Sequence, residues 1–576
     1  MVMFTALFFS SCEMYNLDIN EDPNNPVQAE LGLLMPSIQV NLAYNYQTIH
    51  NYGQGVMGLT SGYDGLDYDE STFNGLWNSL YLNTIKDLEE YIIVASKTDG
   101  KGDILLPHSL GAGQVLKSFI YSTMVDLWGD IPYSEASLGN NLQFNPKYDD
   151  QVAIYQNCLS LIDEAIANLS GPGLSIGGDF FYNGNSGKWL KAAKSLKLKL
   201  LVQVRRAPGF TYGSGINSEI ASLLVEDDLI NSMSDDMQFI YTTDIARGQR
   251  HPWMTSVYSG DNSFSYLMHQ FMFEMLIKHD PRIPYYFKRQ TSSVLDQEDD
   301  TQKNTTPCSQ NSFCEYGYLV LNQQRLNELA TAGVISSPIP TSTEANYLAG
   351  FFGRDKGDPS GIPLDGALRT APGVYPMGGQ FDIGSPGKIN SKDGVGLGNG
   401  VTMFLTKGMV DLYKMEAILE TGATGDARVI FEDFLDYSFS KVETFSTSIS
   451  ASGAVSMDKV ATDTDHTHVT DVATYIADRL GEYDIASNKL SVIYKEAWFA
   501  LFGSGFELYN NFRRTGYPDD IQIPTFRYAS SGQRDFPIRI PYTIDELNLN
   551  ENLTKIIPSD GTEGVFWDVI KYKFPI

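Results

Sequence analysis

Basic side chains are scarce in this sequence relative to acidic ones. Its 576 residues include 41 Lys and Arg against 70 Asp and Glu, which gives a formal net charge of −29 at pH 7. Binding to nucleic acid needs clustered Lys and Arg that neutralise phosphates, so this balance argues against a nucleic-acid partner. It also argues against a protein body that lies flat on an anionic bilayer.

Histidine and cysteine are also few, with seven and four residues. The sequence around these residues identifies no Ser–His–Asp or Cys–His arrangement. Because the carboxylates are so many, no two of them stand out as the acid and base of a glycosidase. The segment 173–177 reads GLSIG and fits the G-x-S-x-G pattern of serine hydrolases. That motif needs a preceding strand, whereas a helical pattern precedes it here, so we interpret it as a chance match. The sequence therefore favours a binder without chemistry of its own.

Long hydrophobic runs are absent as well, since no segment approaches the ~18–20 apolar residues of a membrane-spanning helix. The short apolar run before Cys12 ends in two serines and precedes a polar stretch. This pattern is typical of a bacterial lipoprotein signal, and we expect lipidation at Cys12 and an anchored rather than a spanning protein. No Lys or Arg precedes Cys12, so we expect residues 1–12 to be a truncated signal whose start lies further upstream.

The other three cysteines have different settings. Cys158 lies in a helical pattern and is interpreted as a buried small hydrophobe. Cys308 and Cys314 flank a polar loop. In an oxidising compartment these two residues are candidates for a disulfide bond.

Helical periodicity is the most abundant pattern in the chain. Apolar residues recur at three- and four-residue steps in many segments, one of which starts at Asp149 or Asp150 as N-cap. We therefore predict a mostly α fold of paired helices that stack as a tetratricopeptide-like superhelix, with few short strands. The predicted helices span 76–95, 113–128, 149–169, 186–206, 263–279, 402–420, 426–442, 469–480 and 489–513.

The region 281–400 is rich in Gly, Pro, Ser, Thr and Asn and is predicted to be a large loop-rich insertion. A loop region of this length inside a compact protein is usually functional.

Aromatic residues in polar loops are the candidates for ligand binding. Aromatic residues make up 12% of the chain, and sugars need aromatic platforms beside paired hydrogen-bonding groups in a concave or loop-built site. An exposed aromatic patch would equally suit contact with a partner protein. The candidate ligand-binding residues are Trp253, Tyr258, Tyr266, Tyr63, Tyr68 and Tyr375.

Two acidic loop segments offer oxygen ligands for a cation. The first loosely resembles a calcium loop without the full D-x-[DN]-x-[DN]-G order, so structural calcium is the only cofactor that we consider. The second is interpreted as a solvated loop that caps a helix, with a divalent-cation site as the alternative. The first segment carries Asp355, Asp358 and Asp365, and the second carries Asp463, Asp465, His466 and His468.

Several motifs together resemble those of a known family. The most specific is DLWGDIPYSEA at 126–136, and FRRTGYP at 512–518 is a second long match. On these motifs the chain resembles the SusD/RagB family of nutrient-binding outer-membrane lipoproteins of Bacteroidetes-type bacteria. The run 353–379 is similar to the branch of that family in which the ligand is often unassigned. The remaining matches are Cys12, NEDPN at 20–24, 148–149 with 154–155 and 162–163, 188–189 with 195–197, 496–498 and Glu507.

The resemblance implies a fold, a location and a partner. The fold would be a single SusD-like domain at 13–576, with a helical scaffold at about 29–280 and 401–515 and a loop-rich ligand-side part at about 281–400. The location would be the outer face of the outer membrane. The partner would be a SusC/RagA-type TonB-dependent transporter, over which the lipoprotein closes as a lid.

We therefore expect a cell-surface protein that captures an oligosaccharide and passes it to the transporter. One alternative is an oligopeptide ligand, in which case the acidic protein would favour basic peptides and its affinity would fall with salt. A less favoured alternative is a carboxylate-dependent glycoside hydrolase, which would release new reducing ends.

Overall fold

The structure, a computed structural model, describes residues 31–61, 70–137, 145–244, 249–253, 266–267, 269–288, 356, 370–372, 399–447, 457, 469–522, 536–553 and 564–570. Most of these residues are helical. The helices are α1 (Leu31–Val56), α2 (Asn74–Ser79), α3 (Lys86–Ala95), α4 (Pro107–Trp128), α5 (Gln151–Ser170), α6 (Ser186–Val204), α7 (Ile216–Glu226), α8 (His269–Ile277), α9 (Ile283–Tyr286), α10 (Lys407–Thr421), α11 (Ala427–Thr447), α12 (Val472–Ile485), α13 (Lys489–Ala500), α14 (Gly505–Thr515) and α15 (Ile544–Leu549). A π-helical segment, Leu80–Ile85, joins α2 to α3.

Helices that follow one another in the chain pack against one another. Helix α4 contacts α3 and α5, and α5 contacts α6. In the C-terminal part, α10 contacts α11, α11 contacts α12 and α12 contacts α13. Contacts of α6 with α10 and of α1 with α14 join the two parts around one apolar core. The predicted mostly α, tetratricopeptide-like fold is confirmed.

The start of α5 shows how local sequence fixes a helix end. The Asp150 carboxylate accepts hydrogen bonds from the backbone N–H groups of Val152 and Ala153, at 3.0 and 3.1 Å. Of the two aspartates predicted as N-cap, Asp150 therefore caps the helix. Asp149 instead accepts from the Ser134 N–H at 2.7 Å, which ties the preceding loop to the helix start.

Three predicted helices differ from the observed elements. The segment 402–420 begins as a strand and becomes helical only at Lys407, and within 263–279 Tyr266–Leu267 form a strand before the helix His269–Ile277. The segment 489–513 is broken between α13 and α14. Gly503 lies in that break with a φ of 93°, a conformation that a right-handed helix cannot contain.

The strands are few and short, as predicted. Each pairs with one other in an antiparallel two-stranded sheet: β1 with β3, β2 with β6, and β4 with β5. The strands are β1 (Thr60–Ser61), β2 (Met237–Ile240), β3 (Tyr266–Leu267), β4 (Phe287–Lys288), β5 (Ala371–Pro372) and β6 (Val401–Leu405).

Within the described part of the chain, no helix combines the length and the apolar character that crossing a lipid bilayer requires.

Candidate ligand-binding site

Four short strands bring together segments that lie far apart in the sequence. Ser61 of β1 pairs with Tyr266 of β3, and Phe287 of β4 pairs with Pro372 of β5. Strand β3 also contacts β5, so the two sheets are neighbours. We call β1, β3, β4 and β5 the strand cluster. The segments 62–69, 254–265 and 373–398 each begin or end close to it in the chain.

Those segments carry most of the residues that the sequence predicts for ligand binding. Tyr266 itself lies in the strand cluster, where its backbone pairs with Ser61, but its side chain lies outside the described residues. The other predicted residues that lie outside them are Tyr63, Tyr68, Tyr258, Tyr375, Cys12, Cys308, Cys314, Asp355, Asp358, Asp365, Asp463, Asp465, His466 and His468. For these residues the predictions stand as stated.

Trp253 is the one predicted aromatic whose side chain is described, and it is buried. Its side chain is only 2% exposed and belongs to the apolar core. The indole N–H donates to Asn51 Oδ1 at 2.5 Å, and the ring lies 6.3 Å from the Phe502 ring, centroid to centroid. This burial argues against Trp253 as an exposed stacking platform. Polar neighbours in the sequence do not show whether an aromatic ring is exposed or buried.

Trp253 is held by a buried hydrogen-bond network that the sequence analysis missed. Gln47 Oε1 accepts from Thr402 Oγ1 at 3.0 Å and from His251 Nε2 at 3.1 Å. The Gln47 amide in turn donates to Asn51 at 3.0 Å. The signal in the sequence was the run of polar residues at core-facing positions of α1, where Gln47, His50 and Gln54 recur at helical spacing.

His50 and His251 are both fully buried as neutral rings. His50 Nε2 donates to the Met403 carbonyl oxygen at 2.8 Å, and its Nδ1 accepts from the Phe506 N–H at 3.4 Å. His251 Nδ1 accepts from the Trp253 N–H at 3.2 Å. Burial is the main cause that lowers the pKa of His50 to about 4 and that of His251 to about 3.

We expect the free energy of unfolding to fall as the pH is lowered from about 6.5 to about 4.5. Both imidazoles stay neutral in the folded protein, whereas in the unfolded chain they bind protons below about pH 6.5. The unfolded state then holds about two more protons, so these rings lower stability by roughly 2.7 kcal/mol per pH unit. Urea unfolding at a series of pH values measures this slope.

The variant His251→Gln isolates one of the two rings. It removes one of the two extra protons of the unfolded state, so its slope should be shallower by roughly 1.4 kcal/mol per pH unit. Carboxylates that titrate in the same range contribute equally to both proteins and cancel in the comparison. Equal slopes for the wild type and the variant would contradict the buried, neutral state of His251.

Asp126, the first residue of the motif DLWGDIPYSEA, has a structural role. Asp126 accepts from Tyr155 Oη at 2.5 Å, from Asn510 Nδ2 at 2.8 Å and from Trp567 Nε1 at 2.8 Å, and it is 2% exposed. Burial raises the pKa of Asp126 even though Arg513 opposes this shift. A carboxylate enclosed in this way joins three elements and cannot reach a ligand.

Glu496 and Glu507 are buried in the same manner. Glu496 accepts from Arg282 at 2.5 Å and from Tyr475 Oη at 3.0 Å. Glu507 pairs with Lys199 at 2.8 Å. These contacts explain why the matching segments carry charge at core positions: each charge has a partner there.

The segment 173–177 does not form a nucleophile turn. It follows α5 directly, and no strand precedes it. Ser175 Oγ donates to the Gly184 carbonyl oxygen at 3.1 Å. This geometry agrees with the interpretation of the G-x-S-x-G pattern as a chance match.

In the described ranges, no group of three or more His, Cys, Asp or Glu residues is placed to hold a metal ion. The acidic segments singled out above lie outside those ranges.

The geometry thus defines a class of protein. Paired helices form a scaffold, a strand cluster joins parts of the chain that are distant in the sequence, and the buried carboxylates described above make structural contacts. This arrangement is that of a helical-repeat scaffold.

Two family profiles match this chain. One, described as starch-binding and associating with the outer membrane, matches residues 23–331, which is more than half of the chain. The other, described as SusD and RagB outer membrane lipoprotein, matches residues 388–563. The chain belongs to the SusD/RagB family of outer-membrane lipoproteins.

Solved structures share the fold over nearly the whole chain. A SusD homologue from Bacteroides fragilis has 20% identity and a TM-score of 0.64, covering 95% of this chain and 100% of its own. A chitin-binding protein has 18% identity and a TM-score of 0.65, covering 93% and 100%. A chitin-binding SusD homologue from Flavobacterium johnsoniae has 18% identity and a TM-score of 0.60, covering 93% and 98%. At these identities the likeness establishes the fold.

The comparison with curated protein sequences found no match.

Proposed function

We propose that this chain is a cell-surface lipoprotein that captures an oligosaccharide and passes it to a TonB-dependent outer-membrane transporter. The observation that carries the proposal is the strand cluster. Segments with predicted ligand-binding tyrosines begin or end beside it, on a family scaffold whose profile is described as starch-binding.

Chain connectivity supports a common site for these tyrosines. A chain advances at most about 3.6 Å per residue. Tyr63 follows Ser61 by two positions and Tyr375 follows Pro372 by three. Their Cα atoms are therefore expected within about 7 and 11 Å of the strand cluster. Aromatic rings gathered at one place would suit the apolar faces of sugar rings.

The two chitin-binding structural neighbours favour a glycan over a peptide as the ligand. Capture without cleavage is favoured because Asp126, Glu496 and Glu507 are buried in structural contacts. Lipidation of Cys12 would hold the protein at the outer face of the membrane, within reach of a SusC/RagA-type transporter.

Titration with chitin oligosaccharides tests the site in the protein from Glu13 onward. We expect Tyr258→Ala and Tyr63→Ala each to weaken binding roughly three- to tenfold, because a lost aromatic contact costs about 0.5–1.5 kcal/mol. Phe180→Ala is the matched control, since Phe180 is an exposed aromatic (55%) that lies outside the strand cluster. Isothermal calorimetry gives the affinities, and a thermal scan confirms that each variant is folded.

The outcomes of these titrations distinguish the proposed tyrosine site from the alternatives. Unchanged affinity in both tyrosine variants, beside binding by the wild type, would remove these residues from the site. Binding that appears only with peptides and weakens with salt would move the ligand class to oligopeptides. Repeating the titration after calcium chelation tests whether the aspartates of 355–365 hold a calcium ion that shapes the site.

A further inference from the structure

Gln270 is a buried side chain whose amide group binds a distant part of the chain at both of its ends. It lies in the first turn of α8, three residues after Leu267 of β3. Its Oε1 atom accepts from the Gln522 N–H at 2.7 Å, and its Nε2 group donates to the Asp520 carbonyl oxygen at 2.7 Å. The segment 520–522 is therefore hydrogen-bonded to the helix that follows strand β3.

Ion pairs hold the same segment from a second helix. Lys495 Nζ, on α13, lies 2.8 Å from Asp520 Oδ1 and also pairs with Glu274 of α8. Burial opposes the charge of Lys495, but Glu274 and Asp520 outweigh it and hold the pKa of Lys495 above its ordinary value. Glu274 Oε1 also accepts from Gln270 Nε2 at 2.7 Å, so the ion pairs and the amide contacts share a partner.

Gln522 connects this segment to the region that the sequence predicts to be loop-rich. Its side chain is buried, and its Oε1 atom accepts from the Lys356 N–H at 3.2 Å. Lys356 is buried as well, and its Cδ atom would lie 3.6 Å from a Cβ atom placed on Gly58. The same Cβ atom would lie 3.7 Å from Ile521 Cγ2. Lys356 and Ile521 thus pack beside the chain that joins α1 to β1.

We call Gln270 and Gln522, with the backbone groups that they bind, the glutamine bridge. The bridge lies beside both strands of one sheet of the strand cluster, because Gln270 follows β3 and Lys356 packs near Gly58, two residues before β1. An isolated two-stranded sheet is only marginally stable in water. The position of the β1–β3 sheet therefore depends on the contacts that hold it to the helices.

We propose that Gln270 and Gln522 are positioning residues for ligand binding, which hold the β1–β3 sheet in place relative to the helical scaffold. The segments with Tyr63 and Tyr258 follow β1 and precede β3 in the chain. The proposal rests on glycan capture at the strand cluster. Both glutamines are buried, so they act on a ligand through the strands and not by contact.

Methionine at either position keeps the length of the side chain and removes its amide group. Gln270→Met removes the bonds to Asp520 and Gln522, whereas Gln522→Met removes the bond to the Lys356 N–H and leaves the Gln522 N–H bonded to Gln270. We expect both variants to bind chitin oligosaccharides roughly fivefold more weakly or worse, because a site loses affinity when its supporting contacts are loosened. Isothermal calorimetry measures the affinities, and a thermal scan confirms that each variant is folded.

Hydrogen exchange followed by mass spectrometry gives a second measurement that needs no ligand. In Gln270→Met, the amides of 57–61 and 266–267 should exchange roughly threefold faster or more, because the sheet opens more often without the bridge. A glutamine with a merely local structural role would speed exchange at 520–522 alone.

Ser195→Ala is the matched control for the loss of a buried acceptor. Ser195 Oγ accepts from the Ile230 N–H at 2.8 Å, and both residues are buried. Ser195 lies in α6, which packs against α4, α5 and α10. The control also leaves a buried backbone N–H without its acceptor, so it should lower the thermal stability. Its affinity for chitin oligosaccharides and its exchange at 57–61 and 266–267 should equal those of the wild type.

Wild-type affinity in folded Gln270→Met and Gln522→Met proteins would overturn the proposal. An equal loss of affinity in Ser195→Ala would do so too, since the effect would then be one of stability in general. Unchanged exchange at 57–61 and 266–267 in Gln270→Met would overturn it without any ligand. Failure of glycan capture itself would show in the wild type, which would bind no oligosaccharide, while the exchange rates would still decide whether the bridge holds the sheet.

Discussion

Replacing Gly505 with alanine should destabilise the protein by about 3 kcal/mol or more, at or beyond the upper end of ordinary overpacking costs. Gly505 is the first residue of α14, where this helix crosses α1. A Cβ atom at this position would lie 2.1 Å from Gln54 N and 2.4 Å from the His50 carbonyl oxygen. Both are backbone atoms of a helix, so they cannot rotate away as a side chain would.

Gly53 of α1, which lies opposite Gly505, shows that the backbones of the two helices approach each other closely. A Cβ atom on Gly53 would lie 2.2 Å from the Gly505 carbonyl carbon. The helices could admit the methyl group only by moving apart, and the aromatic packing between them, such as Tyr46 with Phe506, would then open. We therefore expect the loss of stability in Gly505→Ala to exceed that of a substitution that only changes the volume of a small cavity.

Gly481→Ala is the matched control for this substitution. Gly481 lies in α12, and nothing lies within 4 Å of the Cβ atom that alanine would add. Alanine should stabilise that helix by up to about 1 kcal/mol, because glycine has the poorer helix propensity. Thermal and urea unfolding of both variants measure the difference. A Gly505→Ala protein as stable as the wild type would contradict the helix crossing.

Glu416→Gln should cost about 3–5 kcal/mol of stability, the cost of breaking a buried ion pair. Glu416 is fully buried and accepts two bonds from Arg514, with Nε–Oε1 and Nη2–Oε2 both at 2.9 Å. It also pairs with Arg205. Removal of its charge leaves the buried Arg514 without its carboxylate, while Arg205 keeps only the longer contact to Glu420, at 3.5 Å.

The loss of stability caused by Glu416→Gln should become smaller at low pH. Burial opposes the charge of Glu416, but Arg514 and Arg205 outweigh it and hold its pKa at about 2. The unfolded value is about 4.5, so the stabilisation is complete above that pH and is lost as the pH falls toward 2. A pKa lowered from 4.5 to about 2 corresponds to about 3 kcal/mol, in line with the expected cost of the substitution.

Glu432→Gln is the matched control for the ion pair. Glu432 is about half exposed and lies 3.9 Å from Arg428 on the same helix. Such a pair contributes less than about 0.5 kcal/mol. Urea unfolding at neutral and acidic pH should therefore show a large, pH-dependent loss for Glu416→Gln and almost none for Glu432→Gln. Similar losses in both variants would contradict the buried network.

The helical scaffold could be predicted because its signals are local. Apolar spacing located α4, α5, α6 and α11, and two adjacent aspartates, Asp149 and Asp150, marked the start of α5, of which the structure assigns the cap to Asp150. Spacing alone did not show the break between α13 and α14, because the apolar period continues across it. The break depends on the backbone conformation of Gly503, which the spacing of apolar residues does not indicate.

The candidate site was harder to predict because it is made by distant pairings. Strands of two residues, such as Ser61 with Tyr266, have no sequence pattern of their own. Trp253 was chosen for its polar neighbours, yet Asn51 on α1 bonds to it from 202 residues away and holds it in the core.

Capture of a glycan without cleavage is the function that we propose for this chain. The most direct measurement is calorimetric titration of the purified protein with a panel of oligosaccharides and peptides, followed by mass spectrometry of the recovered ligand. We expect saturable binding of at least one oligosaccharide, recovered intact and without new reducing ends. Binding of peptides only, or recovery of shortened sugars, would contradict it.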